Sequence, residues 1–144
     1  MSAKRSRKAK KMKRNQTIAI VAIIGLLALA GLWFVRSTMI VPAEIDVQEA
    51  HEKYRDGVYF LDVRTPEEWQ EKHLPGAYFI PLEELQYRLA ELPADQEIVI
   101  VCRSGNRSMQ AREFLKKAGF TQVSSVAGGL NAWGQAGYEL EAGN

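Results

Sequence analysis

The sequence predicts one α/β domain with a mostly parallel sheet, preceded by a single membrane-spanning helix. Two observations lead to this fold class. Short apolar runs rich in β-branched residues alternate with segments of helical pattern, which favours a parallel sheet covered by helices on both faces. An uncharged apolar run lies upstream of that alternation. A chain of 144 residues has room for one core and one appendage.

The first half of the alternating region begins with a helix-start pattern. Asp46 followed by Glu49 resembles a capping box, and an Asp-Gly pair closes the helix that follows. A short apolar run then predicts a buried strand. Thr65, a proline and two acids predict the next helix start, with Thr65 as N-cap. The elements expected here are a helix over 47–55, a strand over 58–63 and a helix over 66–72.

The second half continues the same alternation. Leucines at helical spacing predict a helix over 82–92. The β-branched run Ile98–Val101 predicts a central buried strand. The remaining elements expected here are a strand over 77–80, a helix over 107–118 that Gly119 ends, a strand over 123–126 and a helix over 130–136.

The segment before the domain has the pattern of a membrane anchor. Residues 1–16 contain eight basic residues and no acid, and Ile18–Val35 contains no charged or polar side chain. Eighteen helical residues rise about 27 Å, close to the hydrocarbon thickness of a bilayer. We expect a basic tail over 1–16, a transmembrane helix over 17–36, a linker over 37–42 and the domain over 43–144.

The charge distribution predicts which way the anchor points. Basic residues concentrate before the apolar run, which predicts a cytoplasmic N-terminus and a domain on the outer side. Such an anchor is compatible with a membrane protein partner. A cleaved signal peptide is the alternative, because Ala28-Leu29-Ala30 fits a small-residue cleavage pattern. Residues 37–144 contain seven more acids than bases, which argues against nucleic acid as a ligand.

The sequence contains one cysteine, Cys102, which excludes a disulfide within the chain. It is therefore either an inert buried thiol or a reactive one. It stands between a predicted strand and a predicted helix, in a loop with Arg103, Gly105 and Arg107. Backbone N–H groups converge in such loops, and together with the arginines they should lower the pKa of the thiol. We therefore expect an activated nucleophile beside an anion site.

These residues resemble the active-site loop of the rhodanese-like (sulfurtransferase) family. The resemblance covers four blocks in the family's order: residues 102–108, 61–69, 73–77 and 128–133. It implies a five-stranded parallel sheet and a persulfide on Cys102. It also implies that the loop binds the anionic sulfur donor through Arg103, Ser104, Gly105, Asn106, Arg107 and Ser108.

The chemistry implied by the resemblance is covalent transfer. The thiolate takes sulfur from thiosulfate or a related small anion, and a thiol or cyanide acceptor removes it, with neither metal nor cofactor required. A non-catalytic binding or sulfur-presenting module is one alternative. A cysteine-dependent phosphatase is another, although four residues separate Cys102 from Arg107 where those enzymes have five.

Other polar and aromatic residues are expected to have supporting roles. Asp62 and Arg64 should form an ion pair or cap that supports the loop. His73 is expected to hydrogen-bond a turn, and His51 to lie on a helix surface. The remaining large aromatics, Trp69 and Trp133, should pack in the core or at a pocket rim. Two histidines and one cysteine without a tight cluster argue against a metal site.

Overall fold

The computed structural model of the chain describes residues 21–28 and 41–143. They belong to two separate units that divide between Met39 and Ile40. Residues 21–28 are helical and exposed. In the described ranges, no helix has the length and apolar character needed to cross a membrane. The expected tail over 1–16 lies outside the described residues, as does most of the expected span over 17–36 and of the linker.

The second unit alternates strands and helices. Its elements in chain order are β1 (Glu44–Ile45), α1 (Val47–Arg55), β2 (Tyr59–Asp62), α2 (Pro66–Glu71), β3 (Tyr78–Phe79), two 3₁₀ turns (Leu85–Tyr87 and Leu89–Glu91), β4 (Ile98–Val101), α3 (Asn106–Lys117), β5 (Val123–Val126) and α4 (Gly129–Gln135).

The five strands form one parallel sheet in the order β1-β5-β4-β2-β3. Central β4 is buried along its length because its side chains face two cores in alternation. Ile98 and Ile100 pack on the side of α3, whereas Val99 and Val101 pack with Trp133 of α4 on the other side. The predicted parallel α/β sheet with helices is confirmed. Its carboxyl edge, where β4 ends, is where ligands bind in such sheets.

The predicted helix over 82–92 is wrong. The segment forms two short 3₁₀ turns, with N–H groups bonding three residues back, as from Leu85 to Leu82 and from Leu92 to Leu89. Arg88 interrupts the segment because its backbone leaves the helical region at φ −119° and ψ 18°. The leucine spacing still packs the segment against the core, with Leu85 and Leu92 buried. An apolar period near three and a half suits successive tight turns as well as one α-helix.

Two further differences concern the first strand and one histidine. The residue pattern alone predicted four strands, whereas Glu44–Ile45 adds a fifth by pairing with β5. Two residues are too few to carry an alternation signal. The expectation for His51 is also wrong, since its ring is half-buried and stacks on Tyr138 at a centroid distance of 3.8 Å. Its edge faces Trp133, which is fully buried as expected.

Candidate functional site

Cys102 directly follows β4 and is only 1 % exposed. Its sulfur accepts a hydrogen bond from the backbone N–H of Gly105 at 3.1 Å. The hydroxyl of Ser108 lies 3.5 Å from the sulfur. The loop therefore curls around the sulfur and directs hydrogen-bond donors at it.

This curvature changes the acidity of the thiol. Burial raises the pKa of Cys102, but the Ser108 hydroxyl and the N–H groups of Ser108, Ser104 and Gly105 lower it. The hydrogen bonds prevail, so the pKa lies below its ordinary value of 9.0. Donors that stabilise a thiolate make the sulfur a better nucleophile near neutral pH. The direction of this pKa shift is the one expected from the sequence.

The first turn of α4 holds the loop from outside. Leu130 N–H donates to the Cys102 carbonyl at 2.8 Å, and Asn131 N–H donates to the Arg103 carbonyl at 3.0 Å. Loop carbonyls thus bond to α4. Gly129 allows this contact, because a Cβ there would lie 2.2 Å from the Cys102 oxygen. The Gly-Gly pair was visible in the sequence, but its contact with the loop requires the folded arrangement.

Ser108 and Ser125 form a buried hydroxyl pair beside the sulfur. Ser108 Oγ donates to the Gly105 carbonyl at 2.9 Å, and it lies 2.8 Å from Ser125 Oγ. Both side chains are fully buried. Ser125 comes from β5, and the sequence reasoning did not identify it. Its only sequence signal is a pair of serines between the two valines of the strand.

Arg107 is held by a carboxylate that the sequence reasoning also missed. Glu68 of α2 accepts two hydrogen bonds from its guanidinium, at 2.7 and 2.8 Å. This pair is half-buried. It raises the pKa of Arg107, with smaller contributions from the charges of Cys102 and Asp62. The hydrogen bonds from Arg107 lower the pKa of Glu68 to about 2.

The ion pair expected between Asp62 and Arg64 is present and buried. Arg64 Nε and one terminal nitrogen donate to the Asp62 carboxylate at 2.7 to 3.0 Å. The two terminal nitrogens of Arg64 also donate to the backbone carbonyls of Glu68 and Lys72. Thr65 caps α2 as expected, in a capping box with Glu68. The pair thus ties the end of β2 to the helix that carries Glu68.

A pocket of about 150 Å³ opens beside the loop. Among the expected donor-binding residues, Arg103 lines it, whereas Asn106 lines a separate open groove along α3. Ser104 is exposed, and Gly105 and Ser108 are buried. The pocket is charged on several sides, and its lining consists of Arg64, Glu68, Glu71, Lys72, Arg103, Leu130 and Asn131. Its volume is small compared with the clefts that bind drug-sized ligands.

His73 follows α2, and its ring contacts the end of that helix and Glu141. Its Nδ1 lies 3.1 Å from the Trp69 carbonyl, and its ring stacks on Trp69. Its Nε2 lies 3.2 Å from the Glu141 carboxylate. In the part of the chain that the structure describes, no group of three or more acidic, histidine or cysteine residues could hold a metal ion.

Comparison with known proteins finds consistent similarity across this unit. Residues 46–136 match the family model of the rhodanese-like domain. The chain is 36% identical over 101 residues to a sulfurtransferase of Allochromatium vinosum, covering 69% of this chain and 94% of that protein. It is 33% identical over 114 residues to the chloroplastic thiosulfate sulfurtransferase 16 of Arabidopsis thaliana, covering 71% and 95%. The crystal structure of a rhodanese-related protein from Thermoplasma volcanium is similar with a TM-score of 0.65 at 30% identity, covering 69% and 98%.

Proposed function

The chain belongs to the rhodanese-like family, and on that premise we propose that it is a sulfurtransferase that works through a persulfide on Cys102. The relatives named as sulfurtransferases support sulfur transfer as the general activity. We propose thiosulfate or a related small anion as the donor, and a thiol or cyanide as the acceptor. The observation that carries the proposal is the Cys102 sulfur at the centre of converging N–H donors.

The proposed reaction has two displacement steps. The Cys102 thiolate attacks the outer sulfur of the donor, a new S–S bond forms, and the old S–S bond breaks with its electron pair leaving on sulfite. The acceptor then attacks the outer sulfur of the persulfide and releases the thiolate. The loop N–H groups that stabilise the thiolate would also stabilise the charged persulfide, which extends from the same atom.

Donor binding would involve the arginines at the loop. Arg103 lines the pocket and is exposed, so it can face an incoming anion. Arg107 is paired with Glu68, so a dianionic donor has to compete with that carboxylate for the guanidinium. Arginine pairs readily with oxyanions through two parallel hydrogen bonds, which makes such an exchange chemically reasonable. The remaining loop residues, Ser104, Gly105, Asn106 and Ser108, would contribute mainly through backbone groups and loop shape.

Steady-state turnover of the full-length chain with thiosulfate and cyanide tests this function. The expected product is thiocyanate, and Cys102→Ser should abolish its formation because the chain has no other thiol. A correctly folded wild-type chain that forms no product with any small donor would favour a sulfur-presenting or binding module. Thiocyanate formation by the serine variant would overturn the role of Cys102.

We further propose that residues 17–36 anchor the chain in a membrane, with 1–16 cytoplasmic and the domain over 43–144 on the outer side. The charge bias and the apolar run support this, and in residues 21–28 the large apolar side chains are more than half exposed. A reporter fused after Asn144 tests the orientation. A reporter that is active only outside the cytoplasm supports the proposal, and one that is active only inside contradicts it.

A further inference from the structure

In the buried hydroxyl pair beside Cys102, the surrounding contacts determine which serine donates its proton to the other. Ser125 is fully buried, and among the described residues its hydroxyl has one partner, Ser108 Oγ at 2.8 Å. A buried hydroxyl that donates no hydrogen bond destabilises the folded state. We therefore assign Ser125 as the donor and Ser108 Oγ as the acceptor. Ser108 Oγ therefore accepts from Ser125, and the proton of Ser108 is available for a different acceptor.

Two acceptors lie within reach of that Ser108 proton. One is the Gly105 carbonyl at 2.9 Å, and the other is the Cys102 sulfur at 3.5 Å. The carbonyl also accepts from the Met109 N–H at 3.0 Å, so it keeps a partner when the Ser108 proton turns away. A thiolate attracts the proton more strongly than a neutral carbonyl does. The geometry therefore allows a rotation of one hydroxyl that leaves no buried group unpaired.

We propose that Ser125 is a positioning residue for Cys102: by donating to Ser108, it orients the Ser108 hydroxyl toward the charged sulfur. The inference rests on the proposed function only in that the charged sulfur is the attacking form. Without Ser125, the free lone pair of Ser108 would accept the S–H proton of the neutral thiol. Ser108 would then stabilise the unreactive form as well as the reactive one.

The neighbouring charges do not reproduce this effect. Arg107 of α3 interacts with the sulfur, with Glu68 of α2 and Asp62 of β2 beside it. Glu44 of β1 lies near Gly105. The strand that carries Ser125 contains no ionisable side chain, and neither does the first turn of α4. A substitution at Ser125 thus changes a hydroxyl and leaves these charges in place.

The neighbouring residue provides a matched control. Register places Ser125 beside Ile100 and Ser124 beside Val99, so the two serines face opposite sides of the sheet. Both are fully buried. The Ser124 hydroxyl donates to the Pro42 carbonyl at 2.9 Å, on the side away from the sulfur. Ser124→Ala therefore removes an equivalent buried hydroxyl from the same strand without touching the Ser108 pair.

The test is the rate of Cys102 alkylation by iodoacetamide against pH, measured on the full-length chain without any sulfur donor. In Ser125→Ala the midpoint should move to higher pH, and the rate below the midpoint should fall about threefold. Ser124→Ala and Ser125→Thr should retain the wild-type profile. An unchanged profile in Ser125→Ala, or an equal shift in Ser124→Ala, would overturn the inference.

A second pair of variants covers the case in which Ser125→Ala does not fold. Ser125→Val and Ser125→Thr have nearly the same shape and differ in the hydroxyl. A shifted profile for valine alone supports the inference, and identical profiles contradict it. Because the assay contains no sulfur donor, it separates the two proposals. A chain that transfers no sulfur can still show the shift, and a chain that transfers sulfur without the shift refutes only the role of Ser125.

Discussion

Two arginine–carboxylate pairs stand close to the reactive loop and differ in their surroundings. Arg64 and Asp62 are almost completely buried, and Arg64 donates to two backbone carbonyls as well as to the carboxylate. Arg107 and Glu68 are half-buried, and each group of that pair remains within reach of solvent. The first arginine is held by a carboxylate and two backbone carbonyls, whereas the second is held by one carboxylate.

This difference indicates a division of roles. A buried charge that loses its partner is strongly unfavourable, so the Asp62–Arg64 pair has to remain intact in the folded state. A half-buried pair can be replaced by solvent or by another anion at a small free-energy change. The buried Asp62–Arg64 pair, called the inner pair below, therefore maintains the corner between β2 and α2. The half-buried Glu68–Arg107 pair, called the outer pair, is suited to exchange its carboxylate for a substrate anion.

Removing the inner carboxylate should have the largest effect. Asp62→Ala leaves the Arg64 charge buried and unpaired, which should lower the free energy of unfolding by about 3–5 kcal/mol. Urea denaturation measures the change. Glu91→Ala, which removes an exposed carboxylate partner of half-buried Arg88, is the control and should leave the transition almost unchanged. A loss below about 1 kcal/mol in Asp62→Ala would show that the inner pair is as replaceable as a surface pair.

Disrupting the contact between α4 and the loop should have the next largest effect on stability. Gly129→Ala places a Cβ 2.2 Å from the Cys102 oxygen at a φ of +54°, so the loop has to move. We expect a loss of about 3 kcal/mol in unfolding free energy, together with loss of transfer activity. Gly57→Ala has a similar φ of +77° with no atom within 4 Å, and should cost only about 1 kcal/mol. Equal effects in the two variants would mean that backbone conformation, and not the loop contact, matters at Gly129.

Releasing the outer arginine should change substrate binding more than stability. Glu68→Gln keeps a capping residue for α2 but removes the charge that competes for Arg107. The KM for thiosulfate should fall about threefold to tenfold at low salt, and the effect should shrink as salt rises. Glu71→Gln removes an equal charge from the same pocket without releasing Arg107. An equal decrease in both variants would show that general pocket charge controls KM.

The same outer pair predicts a modest dependence of stability on pH. The pKa of Glu68 lies at about 2 in the folded chain, below its ordinary value of 4.5. Charged Glu68 therefore stabilises the fold above about pH 4.5, and this contribution is lost as the pH falls toward 2. The stability difference between wild type and Glu68→Gln should be largest at neutral pH and disappear near pH 2. A constant difference across this range in denaturation experiments would contradict the assignment.

Much of the fold could be predicted from the sequence because local signals and tertiary structure agree. Capping residues at Asp46 and Thr65 mark helix starts that the structure retains. The β-branched run Ile98–Val101 forms the central strand with the expected bounds. The prediction of an α-helix over 82–92 failed because α-helices and 3₁₀ turns share this apolar spacing.

The candidate site could be predicted only in part, for a related reason. Cys102 and its loop are contiguous in the sequence, so the strand-loop-helix pattern was enough to identify them. Glu68 and Ser125 reach the loop from separate elements, and their roles depend on register and side-chain direction. A glutamate in a capping pattern and a serine in a strand carry no local signal for such contacts.

Cys102 is proposed to carry sulfur, and intact-mass analysis of the full-length chain detects such a sulfur atom without a turnover assay. The chain is weighed before and after thiosulfate, beside Cys102→Ser, and again after cyanide. We expect a gain of one sulfur atom on the wild type alone and its removal by cyanide. No gain from a folded chain with a titratable thiol, or an equal gain on the serine variant, would contradict it.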